Sequence, residues 1–183
     1  MSTILGLDIS STTTGWGILE VTKDNKINYI DSGYFKPIKD GTIFERLDHS
    51  RLKIKDILNK YKPDYVGVEN IIEFMAGKSS SKTITTLAVF NRIVGMTAYD
   101  YLGKSPELFN VMQIRHGLKT NEVLPKKEEI SALVSKHLGI TFPYEYNRNN
   151  KLREENNDRA DAIAVALYYA FVLTGKTKKK KKK

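Results

Sequence analysis

The chain has 183 residues, 40% of them hydrophobic, and it contains no cysteine. This length supports one domain with its own core. The lack of cysteine excludes disulfides and thiolate metal sites, and it favours a reducing, cytoplasmic environment. No stretch reaches the roughly 18 apolar residues of a membrane span, so we expect no membrane partner.

The positive charge of the chain is concentrated at its C-terminal end. The formal net charge is +9, and residues 178–183 are six consecutive lysines, which leaves +3 for the other residues. A run of like charges repels itself and stays disordered. We therefore expect one domain over residues 1–175 and a disordered tail over residues 176–183. Such a tail favours a polyanion such as nucleic acid, or it serves only solubility.

The predicted elements form a meander of strands followed by alternating helices and strands. Apolar runs predict an antiparallel meander of three strands, and helical spacing then alternates with further apolar runs. Residues 143–157 are polar and are predicted to form a loop. The strands are predicted at 3–9, 14–21, 27–35, 64–69 and 108–114, and the helices at 42–61, 83–102, from Pro125 onward and 157–173. This order predicts an α/β domain with a mixed five-stranded sheet flanked by helices.

Two acidic residues come at the ends of apolar strands. Asp8 follows "ILGL" and Glu69 follows "YVGV". Either acid could simply mark the point where its strand meets solvent. A buried carboxylate without a partner is costly, however, and sheets of this type present functional groups at the carboxyl ends of their strands.

A second pair of acids opens the last helix. Asp158 and Asp161 are three residues apart in "NNDRADAIAVAL", so they share one face of the helix. A helix cap and a favourable interaction with the helix dipole would also explain them. If all four acids meet, they need cations to stay ionised together. Oxygen-only ligands suit Mg²⁺ or Mn²⁺, and two such ions about 4 Å apart would clamp a phosphodiester.

The combination of "LGLDISSTTTGWGIL", "KPDYVGVENIIEFMAG" and "DRADAIAVAL" resembles the RuvC-type Holliday junction resolvases, which have the RNase H-like fold. The resemblance implies that Asp8, Glu69, Asp158 and Asp161 are the catalytic metal ligands, with two Mg²⁺ ions per active site. The chain departs from the family pattern at Ile9-Ser10, where the family has Pro-Gly. The lysine-rich and asparagine-rich composition suggests a bacteriophage-encoded member.

The resemblance also implies roles for other side chains. Lys127 matches a catalytic lysine near the scissile phosphate, and Phe74 matches an aromatic residue that inserts at the junction crossover. The basic residue upstream of Lys127 is either Arg115 or Lys119. A Gly/Ser loop is flanked by Lys78 and Lys82, which suit phosphate contacts. For each of these lysines an ordinary surface position is the alternative, and for Phe74 the alternative is an ordinary core position.

The resemblance implies a homodimeric, metal-dependent endonuclease that nicks branched DNA, with four-way junctions as the preferred substrate. Hydrolysis would leave a 5′-phosphate and a 3′-hydroxyl. The helix over 83–102 is the predicted dimer contact. Two alternatives remain: an RNA-processing nuclease of the same fold, because fold does not settle substrate, and a junction-binding protein without catalysis. The four acids argue against the second.

Overall fold

The computed structural model describes residues 1–70 and 80–177, and within them five strands form one sheet in the order β3-β2-β1-β4-β5. The strands β1 to β5 span Ser2–Ile9, Thr14–Val21, Ile27–Phe35, Tyr65–Glu69 and Glu107–Phe109. The helices α1 to α5 span Ile43–Tyr61, Ser81–Leu102, Val111–Leu118, Ile130–Leu138 and Glu155–Leu173, and a 3-10 turn, Lys127–Glu129, precedes α4. None of the helices in these ranges is long and apolar enough to cross a membrane.

The sheet is mixed, as predicted. Strands β1, β2 and β3 pair antiparallel as a meander. Strands β4 and β5 then join the other edge of β1 in parallel. Parallel neighbours in a sheet require a crossover connection. Helices α1 and α2 provide these connections, since they return the chain to the end of the sheet at which the parallel strands begin.

The helices form a layer on each face of the sheet. Alternate residues of β1 belong to different cores: Ile4 packs with α5, whereas Leu5 and Leu7 pack with α1 and α2. Helix α5 is buried along most of its length, because the sheet covers one side of it and α3 and α4 cover another. This explains why its sequence is apolar on nearly every side rather than on a single stripe.

Glycines allow α5 to lie unusually close to the sheet. Gly6 of β1 pairs with Gly17 of β2 and with Gly67 of β4, which forms a row without side chains across three strands. A Cβ atom on Gly6 would lie 2.2 Å from the carbonyl oxygen of Ala162 and 2.5 Å from the backbone nitrogen of Ala166. Only glycine permits this contact, because both of those atoms belong to the helix backbone.

The prediction of a strand over residues 108–114 is wrong beyond Phe109. Strand β5 ends there and α3 begins at Val111, so the predicted strand is largely a helix. Asn110 caps α3, and its side chain and that of Gln113 bond reciprocally to each other's backbone N–H groups. This capping box was readable in the sequence, and the buried Ile114 and Leu118 have the spacing of one helix face.

Candidate active site

Asp8 and Glu69 lie side by side at the carboxyl ends of β1 and β4. The parallel register pairs Leu7 with Val68, so each acid is the next residue of its strand. Side chains alternate between the two faces of a strand. Asp8 therefore shares the face of Gly6, and Glu69 the face of Gly67. Both glycines face α5, so both carboxylates point toward the layer that contains α5.

Helix α5 brings Asp158 and Asp161 to the same end of the sheet. Asp8 pairs across the β1–β2 ladder with Gly15, and a Cβ atom on Gly15 would lie 2.0 Å from the carbonyl oxygen of Asp158. The first turns of α5 therefore rest directly against the strand beside Asp8. Helix α5 begins at Glu155 and no side chain caps it, so neither aspartate is a cap. Asp158 lies in the first turn, where an acid interacts favourably with the helix dipole.

The four carboxylates influence one another electrostatically. Burial raises the pKa of Asp8 well above its usual value, and repulsion by Glu69, Asp161 and Asp158 raises it further. Burial, with repulsion by Asp161, raises the pKa of Glu69 to about 7. Burial also raises the pKa values of Asp158 and Asp161. Four partly buried acids that repel one another form a site of concentrated negative charge.

Two cations face this cluster. The Nζ atom of Lys127 lies 3.5 Å from Oδ2 of Asp161. Burial lowers the pKa of Lys127, but attraction by Asp161, Asp8 and Asp158 outweighs burial, so that the pKa lies above its usual value. The positive charge of Arg115 counteracts part of the burial effect on the pKa values of Glu69 and Asp161. Of the two upstream candidates, Arg115 is thus the residue that faces the acids.

The other sequence-predicted residues lie apart from this cluster or outside the described ranges. Lys119 ends α3 and lines a cavity of about 290 Å³ that none of the four acids lines. Lys82 is exposed in the first turn of α2. Phe74 and Lys78 lie outside the described residues, as do the six lysines of the tail. The proposed DNA contacts of these residues stay predictions.

Backbone contacts hold the strand ends in place, and sequence reasoning missed them. Asn91 of α2 is buried and donates a hydrogen bond of 3.0 Å to the carbonyl oxygen of Glu69. Arg46 of α1 donates to the carbonyl oxygen of Ser11, in the loop after β1, at 2.6 Å. The available signal for Asn91 was an amide within the apolar run "LAVFNRIVG", where a buried polar side chain requires a partner.

A polar cleft of about 450 Å³ opens beside the acids. It shares Lys127 and Asp158 with the cluster, and its other lining residues are Thr12, Thr13, Lys36, Glu154, Glu155 and Asn157. Lys36 forms an ion pair with Glu155. The cleft thus presents hydroxyl and ammonium groups next to the carboxylates, and groups of these kinds contact phosphates in nucleic-acid complexes.

The chemistry of the four acids fits divalent metal ions. The donor set consists of carboxylate oxygens, and burial and mutual repulsion raise their pKa values, a cost that a bound cation would relieve. Within residues 1–70 and 80–177, no three His, Asp or Glu side chains are arranged closely enough to hold an ion as they stand. The assignment of these acids as metal ligands is therefore a proposal that rests on donor chemistry and electrostatics.

Comparison with known proteins identifies a family. The family model described as Crossover junction endodeoxyribonuclease RuvC matches residues 4–169. A protein of that name from Fusobacterium nucleatum subsp. nucleatum is 27% identical over 179 residues, covering 94% of this chain and 82% of the relative. Another, from Wigglesworthia glossinidia brevipalpis, is 28% identical over 186 residues, covering 97% and 99%.

A solved structure shares the fold. The structure of T. thermophilus RuvC in complex with a Holliday junction substrate matches with a TM-score of 0.71 at 19% sequence identity, covering 96% of this chain and 97% of that chain. This likeness confirms the predicted RNase H-like fold with its mixed five-stranded sheet and flanking helices.

Proposed function

This chain belongs to the crossover junction endodeoxyribonuclease RuvC family, and we propose that it resolves four-way DNA junctions by nicking two strands, through hydrolysis to a 5′-phosphate and a 3′-hydroxyl. The observation that carries the proposal is that Asp8, Glu69, Asp158 and Asp161 meet at one end of the sheet. Burial raises the pKa of each, and repulsion by another acid raises most of these pKa values further. Lys127 and a polar cleft lie beside them. A junction-binding protein without catalysis has no use for this costly arrangement.

The four acids would hold two Mg²⁺ ions, for which Mn²⁺ would substitute. Bound there, the ions would supply positive charge for the attacking water and for the leaving 3′ oxygen of phosphodiester hydrolysis. Asp8 and Glu69 are set by the ends of two hydrogen-bonded strands, and the α5 pair is set by the close contact with Gly15. Rigid elements therefore fix the backbone positions of all four acids, and their side chains would close around the bound ions.

Lys127 places a fixed ammonium group at the edge of the cluster. Its Nζ atom is held by Asp161, and its raised pKa keeps it charged at neutral pH. We propose that Lys127 binds the non-bridging oxygens of the scissile phosphate and that Arg115 is a second cation on the Glu69 side. Both would lower the repulsion between a polyanionic substrate and the acids.

The proposal includes a homodimer built on α2. Two symmetric nicks need two active sites, and α2 carries exposed apolar side chains at the helical spacing of one stripe: Val89 is 39% exposed, Met96 54% and Tyr99 45%. A second copy of the chain would cover this stripe. We therefore expect Met96→Glu to shift the protein to a monomer by light scattering, whereas an unchanged mass would contradict this interface.

A nicking assay with Mg²⁺ tests the function and its alternatives. The substrates are a labelled four-way DNA junction, a DNA fork, a linear duplex and an RNA hairpin. We expect paired nicks in the junction and little cleavage of the linear duplex. Preferential cleavage of the RNA hairpin would favour the RNA-processing alternative, and tight junction binding without a nick would favour the non-catalytic one. We place the activity in the cytoplasm of a bacterial cell or of a phage-infected host cell.

A further inference from the structure

Residues 144–153 form a small hairpin rather than the plain polar loop that composition predicts. Tyr146 and Leu152 make an antiparallel bridge, and the Asn147 N–H donates to the carbonyl oxygen of Lys151 at 2.8 Å. The Asn147 side chain closes the turn by accepting hydrogen bonds from the N–H groups of Asn149 and Lys151. Asn150 takes the left-handed conformation, with φ of +57°, that such a turn needs. We refer to residues 144–153 as the Tyr146 hairpin.

Buried polar side chains fasten the base of the Tyr146 hairpin to the catalytic helix. Asn156 of α5 is buried; its side chain accepts from the Glu145 N–H and donates to the carbonyl oxygens of Glu145 and Arg153. Arg159, which is 3% exposed, donates to the carbonyl oxygen of Pro143 at 2.9 Å and to the Glu145 carboxylate at 3.1 Å. Arg159 follows Asp158 in the sequence, so the hairpin is held by the same turns of α5 that carry the catalytic acids.

The outer part of the Tyr146 hairpin is basic and unpaired. Within the described part of the chain, Arg148 and Lys151 make no ion pair or side-chain hydrogen bond, and both are exposed. Tyr146 and Leu152, the bridge pair, are 53% and 54% exposed. The exposed bridge pair and the two unpaired cations suit a ligand that is anionic and has flat or apolar surfaces between its charges. A nucleic acid strand has both properties.

The base of the Tyr146 hairpin borders the cleft beside the acids. The residues that follow it, Glu154 and Glu155, line the cleft beside the acids. A strand advances about 3.3 Å per residue, so the tip stands roughly 10 Å beyond the base. A polyanion that approaches four carboxylates needs compensating positive charge nearby, and the tip carries such charge within roughly 10 Å of the hairpin base, which borders the cleft.

We propose that the Tyr146 hairpin is a DNA-contacting element: Arg148 and Lys151 bind backbone phosphates of the substrate next to the cleaved strand, and Tyr146 and Leu152 pack against its sugars and bases. This inference rests on the proposed DNA substrate, which it deepens, and it assigns to this hairpin a binding role separate from the catalytic acids. Since the tip touches no catalytic residue, it contributes to binding and not to the chemical step.

The test compares salt dependence of junction binding between two matched double variants. Both are made in the Asp8→Asn protein, so that binding is measured without cleavage. Arg148→Gln with Lys151→Gln removes the two hairpin charges. The control, Lys53→Gln with Lys55→Gln, removes two exposed charges from α1, which packs on the opposite face of the sheet. Thermal melts of both variants should show cooperative unfolding near the parental temperature, as expected for exposed positions.

We expect the hairpin variant to flatten the slope of log K against log salt by up to about 1.8, that is, about 0.9 for each DNA phosphate that the variant no longer neutralises. Between 50 and 200 mM salt, the parent then loses roughly tenfold more affinity than the variant. The control should keep the parental slope. Equal slopes for the two double variants would overturn the proposal.

A separate nicking assay with Asp8 restored is expected to need a higher protein concentration for half-maximal nicking at low salt with the hairpin variant than with the control variant, and equal concentrations would overturn the binding role. If the parent itself fails to nick junctions, the proposed function is wrong, while the comparison of slopes still decides whether the hairpin binds DNA.

Discussion

Replacement of Glu69 by glutamine should shift the difference in stability in favour of the variant, relative to the parent, as the pH rises from acidic to neutral. The pKa of this carboxyl is about 7 in the folded protein and 4.5 in its ordinary state. An acid with a raised folded pKa holds its proton longer in the folded state, so the parent loses stability as the pH rises from about 4.5 to about 7. Glutamine does not ionise and escapes this loss.

The difference between a pKa of 4.5 and one of about 7 corresponds to about 3 kcal/mol of unfolding free energy. The advantage of Glu69→Gln over the parent should therefore grow by an amount of that order between pH 4.5 and pH 8. For a domain of this size, 1 kcal/mol corresponds to roughly 2–4 °C in melting temperature, so the difference in Tm should widen by several degrees. Relief of the repulsion on Asp8 acts in the same direction.

The assay is urea unfolding at several pH values, with a chelator present to keep divalent ions out. Glu122→Gln serves as the control, because Glu122 is an exposed acid that does not line the cluster. A difference between Glu69→Gln and the parent that stays constant from pH 5 to pH 8 would refute the argument that burial and neighbouring acids hold this carboxyl in its protonated form.

Three further predictions concern the metal site, the glycine row and the tail. Mg²⁺ should raise the melting temperature of the parent, because a ligand of the folded state stabilises it. Asp8→Asn should weaken that response, and this variant should bind junctions without nicking them. An undiminished Mg²⁺ response would contradict the shared site. Gly6→Ala should destabilise by about 2–3 kcal/mol in urea unfolding, because its Cβ meets the backbone of α5 at 2.2 Å. Gly95→Ala in α2, where nothing lies within 4 Å, should be neutral or stabilising, and equal effects would refute the close-packing argument. Deletion of residues 178–183 should flatten the slope of log K against log salt for all DNA structures by up to about 0.9 for each phosphate that the tail neutralises. The nicking rate at saturating protein should stay unchanged. An unaltered slope would leave the tail a role in solubility alone.

The elements with a clear period were determined by the sequence alone. Strands β2 and β3 and helix α1 lie within a residue of their predicted positions, because alternation and helical spacing record which side chains become buried. The family pattern around Asp8 and Glu69 likewise depends on local sequence, since each acid ends an apolar strand. Helix α3 was missed because a short apolar run suits a strand as well as a helix, and only its capping box distinguishes the two.

The tertiary structure alone decided which side chains meet. The sequence places Asp8 and Asp158 150 positions apart, and their proximity depends on the register of β1 with β2 and on glycines that admit α5 to the sheet. Only the orientation of α3 showed that Arg115, rather than Lys119, faces the acids. The Tyr146 hairpin needed Asn156 and Arg159, whose partners come from other segments. Packing and electrostatics act between residues remote in sequence, and a local pattern carries no record of those interactions.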